Sequence, residues 1–133
     1  MIMWDDSMTT GVQEIDVQHK ELLSRFNELV EALSTSKGRE ETGKMLDYLQ
    51  FYAQWHFGRD ERCMDEYHCP VAATNREAHR QFLERFGQLY QQYQDAGVNP
   101  QVMHDTFAEL EAWIIKHIKR VDTQLAGCVG GHA

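Results

Sequence analysis

The chain has 133 residues, with 13 Lys and Arg side chains against 21 Asp and Glu side chains, for a formal net charge of −8. This length is typical of a single domain, which buries enough surface to fold without disulfides. With 42% hydrophobic and 26% charged residues, the composition is that of a globular protein. The acidic balance and the lack of clustered Lys and Arg argue against nucleic acid as a partner.

Membrane insertion and secretion are both disfavoured. No apolar run approaches the roughly 20 residues that span a bilayer, and residues 1–6 lack the basic and apolar regions of a signal peptide. Cys63, Cys69 and Cys128 are odd in number and contain no Cys-x-x-Cys spacing, which argues against a disulfide framework or a zinc ribbon. We therefore expect a cytoplasmic protein with reduced cysteines.

Prolines and glycines divide the chain into four long segments, each predicted to be a helix. The segments run from about Asp16 to Ser36, Glu40 to Tyr67, Pro70 to Ala96 and Asn99 to Leu125. Asp16 and Asn99 are candidate N-caps. Gly38 and Gly97 are candidate stops, and Pro70 suits a first helical turn.

Each segment carries an apolar stripe at the spacing of one helix face. The stripe of the first segment is Ile15, Leu22, Phe26, Leu29 and Leu33, and that of the second is Met45, Leu49, Tyr52, Cys63 and Tyr67. Short connections make consecutive helices antiparallel. We predict an all-α, up-down-up-down four-helix bundle over residues 1–126, with an N-terminal extension whose Trp4 folds back onto it. Residues 127–133 are predicted to form a flexible tail.

Extending these stripes by steps of three and four reaches polar side chains. They are His19, His56, Asp60, Asn75, His79, His117 and Asp122. In an alternating bundle all of them fall at the same end. One inward histidine is most simply a hydrogen-bonded core residue, but four histidines and two carboxylates in one layer are costly to bury without a cation. Nitrogen and carboxylate ligands suit iron, manganese or zinc, and two carboxylates favour a dinuclear centre.

The remaining histidines, His68, His104 and His132, are predicted to lie at the surface. Cys63 is expected to be a small buried apolar side chain. No catalytic residue is predicted.

Further short motifs accompany the inward polar residues. They are Trp4, Gly11-Val12, Ile15-Asp16, Gln18-His19-Lys20, His56-Phe57, Met64, Tyr67, Pro70, His79 with Phe82, Trp113, His117-Ile118 and Asp122. Together they resemble the bacterial hemerythrins over nearly the whole chain. The resemblance implies a four-helix bundle holding two non-heme irons (Fe²⁺ or Fe³⁺), bridged by two carboxylates and an oxo or hydroxo group. It also implies that O2, or small anions such as azide, bind at an open iron position.

The resemblance assigns ligands by position. His19 and His56 would hold one iron and His79 and His117 the other, while Asp60 and Asp122 would bridge them. Two positions depart from the family pattern, which normally has Glu in place of Asp60 and a fifth histidine in place of Asn75. Asn75 is therefore either an additional ligand or a neighbour of the ligands, and in the second case one more iron position is open.

The function expected from these residues is sensing of O2 or redox state, by this chain alone or with a fused or partner signalling output domain. A reversible O2 carrier or store is the main alternative. A diiron oxidase, ferroxidase or peroxidase is another, because carboxylate-bridged irons with exchangeable positions suit such chemistry. A metal-stabilised structural bundle is the fourth. Ligand binding or sensing is expected rather than catalysis.

Overall fold

The computed structural model describes residues 3–34, 39–94 and 100–130. The helices are a 3₁₀ turn at Asp6–Met8, α1 (Gln13–Ser34), α2 (Arg39–Glu66), α3 (Ala72–Gln94), α4 (Pro100–Arg120), a second 3₁₀ turn at Asp122–Gln124, and α5 (Leu125–Gly130). Helices α1 to α4 form the predicted antiparallel bundle, and no strand occurs in the described ranges. The predicted stops at Gly38 and Gly97 and the predicted cap Asn99 lie outside those ranges.

Among the described residues, no helix combines the length and the hydropathy that crossing a membrane requires.

The start of α1 differs from the prediction. Asp16 is not the N-cap, because α1 begins three residues earlier and Asp16 lies in its first turn. Its carboxylate accepts hydrogen bonds from the backbone N–H and the hydroxyl of Thr10, each at 2.8 Å. A negative charge is favourable there, beside the free N–H groups of the helix N-terminus. Asp16 thus attaches the N-terminal segment to the bundle.

The N-terminal segment also packs as predicted. Trp4 lies against the core, and the Nζ atom of Lys20 lies 5.2 Å from the centre of its ring.

The centre of the bundle is a cluster of aromatic rings. Phe26, Phe82, Phe86 and Phe107 are at most 2% exposed, and neighbouring rings among them lie 5.5 to 6.5 Å apart. A smaller cluster of Ile15, Met64, Cys69 and Leu125 closes one end. The polar layer described below lies towards that end, since Met64 contacts Asn75.

The buried row of α2 is rotated relative to the predicted stripe. Leu46, Leu49, Ala53 and Phe57 are at most 2% exposed, whereas Met45, Tyr52 and Cys63 are only partly buried. Of the predicted stripe, Leu49 alone belongs to the buried row. The prediction that Cys63 is buried is therefore wrong.

The connection between α2 and α3 is a tight turn. The backbone N–H of Cys69 donates to the carbonyl of Met64 at 2.9 Å, and His68 has a φ of 52°, which few residues other than glycine adopt. Pro70 belongs to this turn and not to the first turn of α3, which begins at Ala72. His68 is exposed, as predicted.

The cysteine prediction is wrong. Cys69 and Cys128 form a disulfide between the α2–α3 turn and α5, with their Cα atoms 5.6 Å apart, and Cys63 is free. The predicted tail begins at Gly127, yet residues 127–130 belong to α5, and residues 131–133 lie outside the described ranges. Because disulfides persist mainly in oxidising compartments, the disulfide removes one argument for a cytoplasmic location, which stays a prediction.

Candidate metal centre

The structure brings all seven inward polar residues into one buried layer. His19 lies on α1, His56 and Asp60 on α2, Asn75 and His79 on α3, His117 on α4, and Asp122 at the start of the second 3₁₀ turn. None of them is more than 7% exposed. Four helices and a turn thus direct nitrogen and oxygen atoms at one another where water is excluded.

Asp122 lies between two pairs of histidines. Its Oδ2 is 3.2 Å from Nε2 of His19, and its Oδ1 is 3.5 Å from Nε2 of His117. His19, His56 and Asp122 form one group whose possible ligand atoms all lie within 4.8 Å of one another, and His79, His117 and Asp122 form a second. One carboxylate therefore belongs to two possible metal positions, as a bridging ligand would.

Asp60 adds the second carboxylate from α2. Its Oδ2 lies 3.6 Å from Nε2 of His79. Burial, reinforced by the negative charge of Asp122, raises the pKa of Asp60 to about 9. Burial also opposes ionisation of Asp122, but hydrogen bonds with His117 and His19 outweigh it and hold the pKa of Asp122 well below its usual range. A cation between the two carboxyl groups would relieve their mutual repulsion.

Asn75 links the two halves of the layer. Its Oδ1 lies 2.7 Å from Nε2 of His117, and its Nδ2 donates to Oδ2 of Asp60 at 3.0 Å and to Sδ of Met64 at 3.2 Å. The side chain is completely buried. Its amide oxygen is thus beside a histidine nitrogen, while its amide nitrogen holds a carboxylate.

Two side chains that the sequence analysis missed orient the histidines. Nδ1 of His56 lies 2.7 Å from Oε1 of Gln18, and Nδ1 of His79 lies 3.0 Å from Oε2 of Glu61. Burial lowers the pKa of both His56 and His79, which keeps the rings neutral. With the proton on Nδ1, Nε2 presents its lone pair to the layer, as in metal-bound histidines. The only sequence signal was adjacency: Gln18 precedes His19 and Glu61 follows Asp60.

Aromatic rings fix two of the imidazoles from outside. The ring of Phe57 stacks on His79 with centroids 3.9 Å apart and planes 8° apart. The ring of Trp113 stacks on His117 at 5.4 Å and 5°. These contacts limit rotation of the two imidazole rings and exclude water.

The layer leaves several buried polar atoms without a hydrogen-bond partner. They are Nδ1 of His19, Nε2 of His56 and His79, and Oδ1 of Asp60. Each such atom costs about 1–3 kcal/mol. Two ligands at right angles, each about 2.1 Å from one ion, lie about 3 Å apart, which is close to the separations of 2.7 to 3.6 Å found here. The residues therefore fit a bound metal, and the two groups fit two ions.

Comparison with known proteins agrees with this geometry. Residues 10–129 match the family model of the hemerythrin HHE cation binding domain. The bacteriohemerythrin of Stenotrophomonas maltophilia (strain R551-3) is 28% identical over 132 residues, covering 99% of this chain and 84% of that protein. The bacteriohemerythrin of Methylococcus capsulatus (strain ATCC 33009 / NCIMB 11132 / Bath) is 29% identical over 120 residues, covering 90% and 89%.

Solved structures show the same likeness. The crystal structure of a wild-type hemerythrin superposes with a TM-score of 0.85 at 27% identity, covering 97% of this chain and 98% of that chain. The crystal structure of a mutant hemerythrin gives a TM-score of 0.84 at the same identity, covering 96% of each chain. The family match spans the four helices and every residue of the buried layer, and the chain belongs to the hemerythrin family.

Proposed function

We propose that this chain holds two non-heme irons, bridged by an oxo or hydroxo group, and uses them to bind O2 and to sense O2 or redox state. The proposed ligands are His19, His56, Asp60, His79, His117 and Asp122. The observation that carries the proposal is the position of Asp122, which belongs to both histidine groups. When bound, the irons supply an exchangeable position for O2 or a small anion, together with a one-electron change at each metal.

The protein's own contribution is a dry and rigid setting. Gln18 and Glu61 hold the Nδ1 protons of two histidines, and the rings of Phe57 and Trp113 cover His79 and His117. Ligands held in this way bind with little reorganisation.

Sensing is favoured by Asn75. In the family pattern a histidine occupies this position, and a neutral amide oxygen is a weaker donor to iron than imidazole. The nearby iron position should therefore exchange ligands more readily, which favours oxidation by O2 over its reversible storage. We propose that the oxidised centre binds azide and signals to a fused or partner output domain, in the cytoplasm.

A second candidate, a reversible O2 carrier, is favoured by a different observation. The chain covers 84% and 89% of the two bacteriohemerythrins compared above. The overlap leaves little room in those proteins for a separate output domain.

Metal content tests the centre itself. Metal-free protein loaded with Fe²⁺ without air should contain two irons per chain by elemental analysis. Asp122→Asn should lose both, whereas Asp105→Asn, at an exposed position on α4, should retain two. A reproducible content of one iron or none in the wild type would contradict the proposal.

Exposure of the loaded protein to air then separates the functions. A sensor should give a rapid change to the diferric spectrum, which azide then alters. A carrier should give a lasting spectral change that reverses under vacuum. Consumption of O2 over many turnovers with an added reductant would instead identify an oxidase.

A further inference from the structure

Helix α2 carries a second apolar row on the side opposite its buried row. Tyr48, Phe51 and Trp55 are 42%, 67% and 44% exposed, whereas Leu49 and Ala53 on the core side are fully buried. A helix at the surface of a bundle needs one apolar stripe to join the core. Much of the apolar surface of the second row therefore lies outside the core of the monomer.

This exposed row extends in both directions with alternating steps of three and four residues. The members, here called the α2 seam, are Glu41, Lys44, Tyr48, Phe51, Trp55, Gly58 and Arg62, and all are exposed. Such steps, repeated over three heptads, form the contact line between two packed helices. Because α2 is long enough to present all of them, the spacing fits another helix as the occupant.

The aromatic part of the seam is already ordered. The ring of Tyr52 stacks on Tyr48 at 6.0 Å and lies 5.7 Å from that of Trp55. The guanidinium groups of Arg25 and Arg59 lie over the rings of Tyr48 and Trp55, at 4.8 and 5.5 Å. Side chains held in place before association lose less entropy when a partner binds.

Gly58 fits the same interpretation. A glycine inside a helix costs roughly 0.5–1 kcal/mol relative to alanine, yet a Cβ added at Gly58 would meet no atom within 4 Å. Close packing within the chain does not require glycine there. On the seam, it lets the backbone of a neighbouring helix approach.

We propose that the α2 seam is the interface of a homodimer in which two copies of α2 pack antiparallel. The seam has an acid, Glu41, at its start and a base, Arg62, at its end. A two-fold axis between Phe51 and Tyr52 brings Glu41 level with the second copy's Arg62, and it brings aromatic residues together at the centre. Parallel packing would instead place like charges together.

The third charged residue of the seam, Lys44, is tolerated in this arrangement. Lys44 comes level with the second copy's Arg59, whose charge is already paired with Glu14. The exposed parts of the three central aromatic side chains amount to roughly 300 Å² per copy, the size of the largest apolar patch on a typical monomer. This is below the roughly 800 Å² per partner of a standard stable complex. The dimer should therefore be reversible and dependent on concentration.

Sedimentation equilibrium of the full chain from about 5 to 500 µM tests the interface. The wild type should shift from 15.5 kDa towards twice that mass. Phe51→Glu should remain monomeric at all concentrations. Val102→Glu, which replaces a residue 56% exposed on α4, is the matched control and should still dimerise. Melting curves should show that both variants are folded.

A charge exchange tests the antiparallel arrangement. Glu41→Arg and Arg62→Glu should each raise the dimer dissociation constant roughly three- to tenfold, and combining them in one chain should restore the wild-type value. A wild type that is monomeric at the highest concentration would overturn the proposal. So would a combined variant no better than the single ones, or a Phe51→Glu variant that dimerises normally. None of these residues is a proposed iron ligand, so the outcome is independent of the metal content.

Discussion

Gln18 tests whether the partners of the histidines control metal binding. Its Oε1 lies 2.7 Å from Nδ1 of His56, and the two side chains are only 4% and 1% exposed. This contact requires the proton on Nδ1 and leaves Nε2 free to bind metal. Gln18→Leu removes the acceptor while keeping a similar volume.

The size of the effect follows from this geometry. Removing a partner that orients a metal-bound histidine typically costs 10- to 100-fold in metal affinity, or about 1.4–2.7 kcal/mol. His56 belongs to the group with His19 and Asp122, while His79 in the other group is held separately by Glu61. We therefore expect one of the two ions to bind 10- to 100-fold more weakly and the other to change by less than about threefold.

The measurement is an anaerobic Fe²⁺ titration of metal-free protein against a competing chelator, which resolves two affinities. Gln54→Leu, at an exposed position of α2, is the matched control and should leave both unchanged. Glu61→Gln should weaken the other site. An equal loss at both sites in Gln18→Leu, or no loss at either, would refute this account of how His56 is oriented.

Three further predictions concern stability and reactivity. Free metal at 100 times its dissociation constant should stabilise the fold by about 2.7 kcal/mol, or roughly 10 °C in unfolding temperature; identical melting curves with and without metal would show that the layer does not bind it. Asn75→His should slow oxidation of the diferrous protein by O2 in stopped-flow spectra, and an unchanged rate would contradict an open position at Asn75. Glu111 is 3% exposed, and burial raises its pKa to about 7. The folded protein therefore loses stability as the pH rises from about 4.5 through 7, since the charged form is disfavoured. In metal-free protein Glu111→Gln should raise the unfolding temperature by a few degrees at pH 8 and hardly at pH 5. The control Glu109→Gln, at an exposed position, should not change the unfolding temperature at either pH. An equal gain for Glu111→Gln at both pH values would show that the ionisation of Glu111 is not the cause.

The spacing of the apolar residues predicted the buried face correctly wherever a helix has a single apolar face. On α1 the residues Leu22, Phe26, Leu29 and Leu33 were predicted to be inward and are all buried. On α2 two apolar rows compete, and spacing alone does not show which of them faces the core. Only tertiary packing decides between them, which is why Tyr52 was placed inward and Ala53 was not.

The same spacing predicted that the polar residues of the layer face inward, but it did not predict the side chains that contact the histidines. Gln18 and Glu61 come from helices other than those of the histidines they contact, 38 and 18 residues away. No local pattern encodes a contact of that range. The Cys69–Cys128 disulfide, with a sequence separation of 59, was missed for a related reason. The glycines near Cys128 favoured a flexible tail in the prediction. In the structure, Leu125 packs with Ile15, Met64 and Cys69 at the end of the bundle, which favours α5.

The two departures from the family pattern lie in contact, which gives them a common explanation. Asp60 is one methylene shorter than the glutamate that the resemblance implies at this position, and Asn75 donates to it from Nδ2 at 3.0 Å. The same amide presents its oxygen to Nε2 of His117 at 2.7 Å. A histidine at position 75 that binds metal through one nitrogen does not supply both contacts, since imidazole has only one other nitrogen. The shorter acid and the amide thus support each other, and Asn75→His removes the amide donor of Asp60 at the same time as it adds an imidazole.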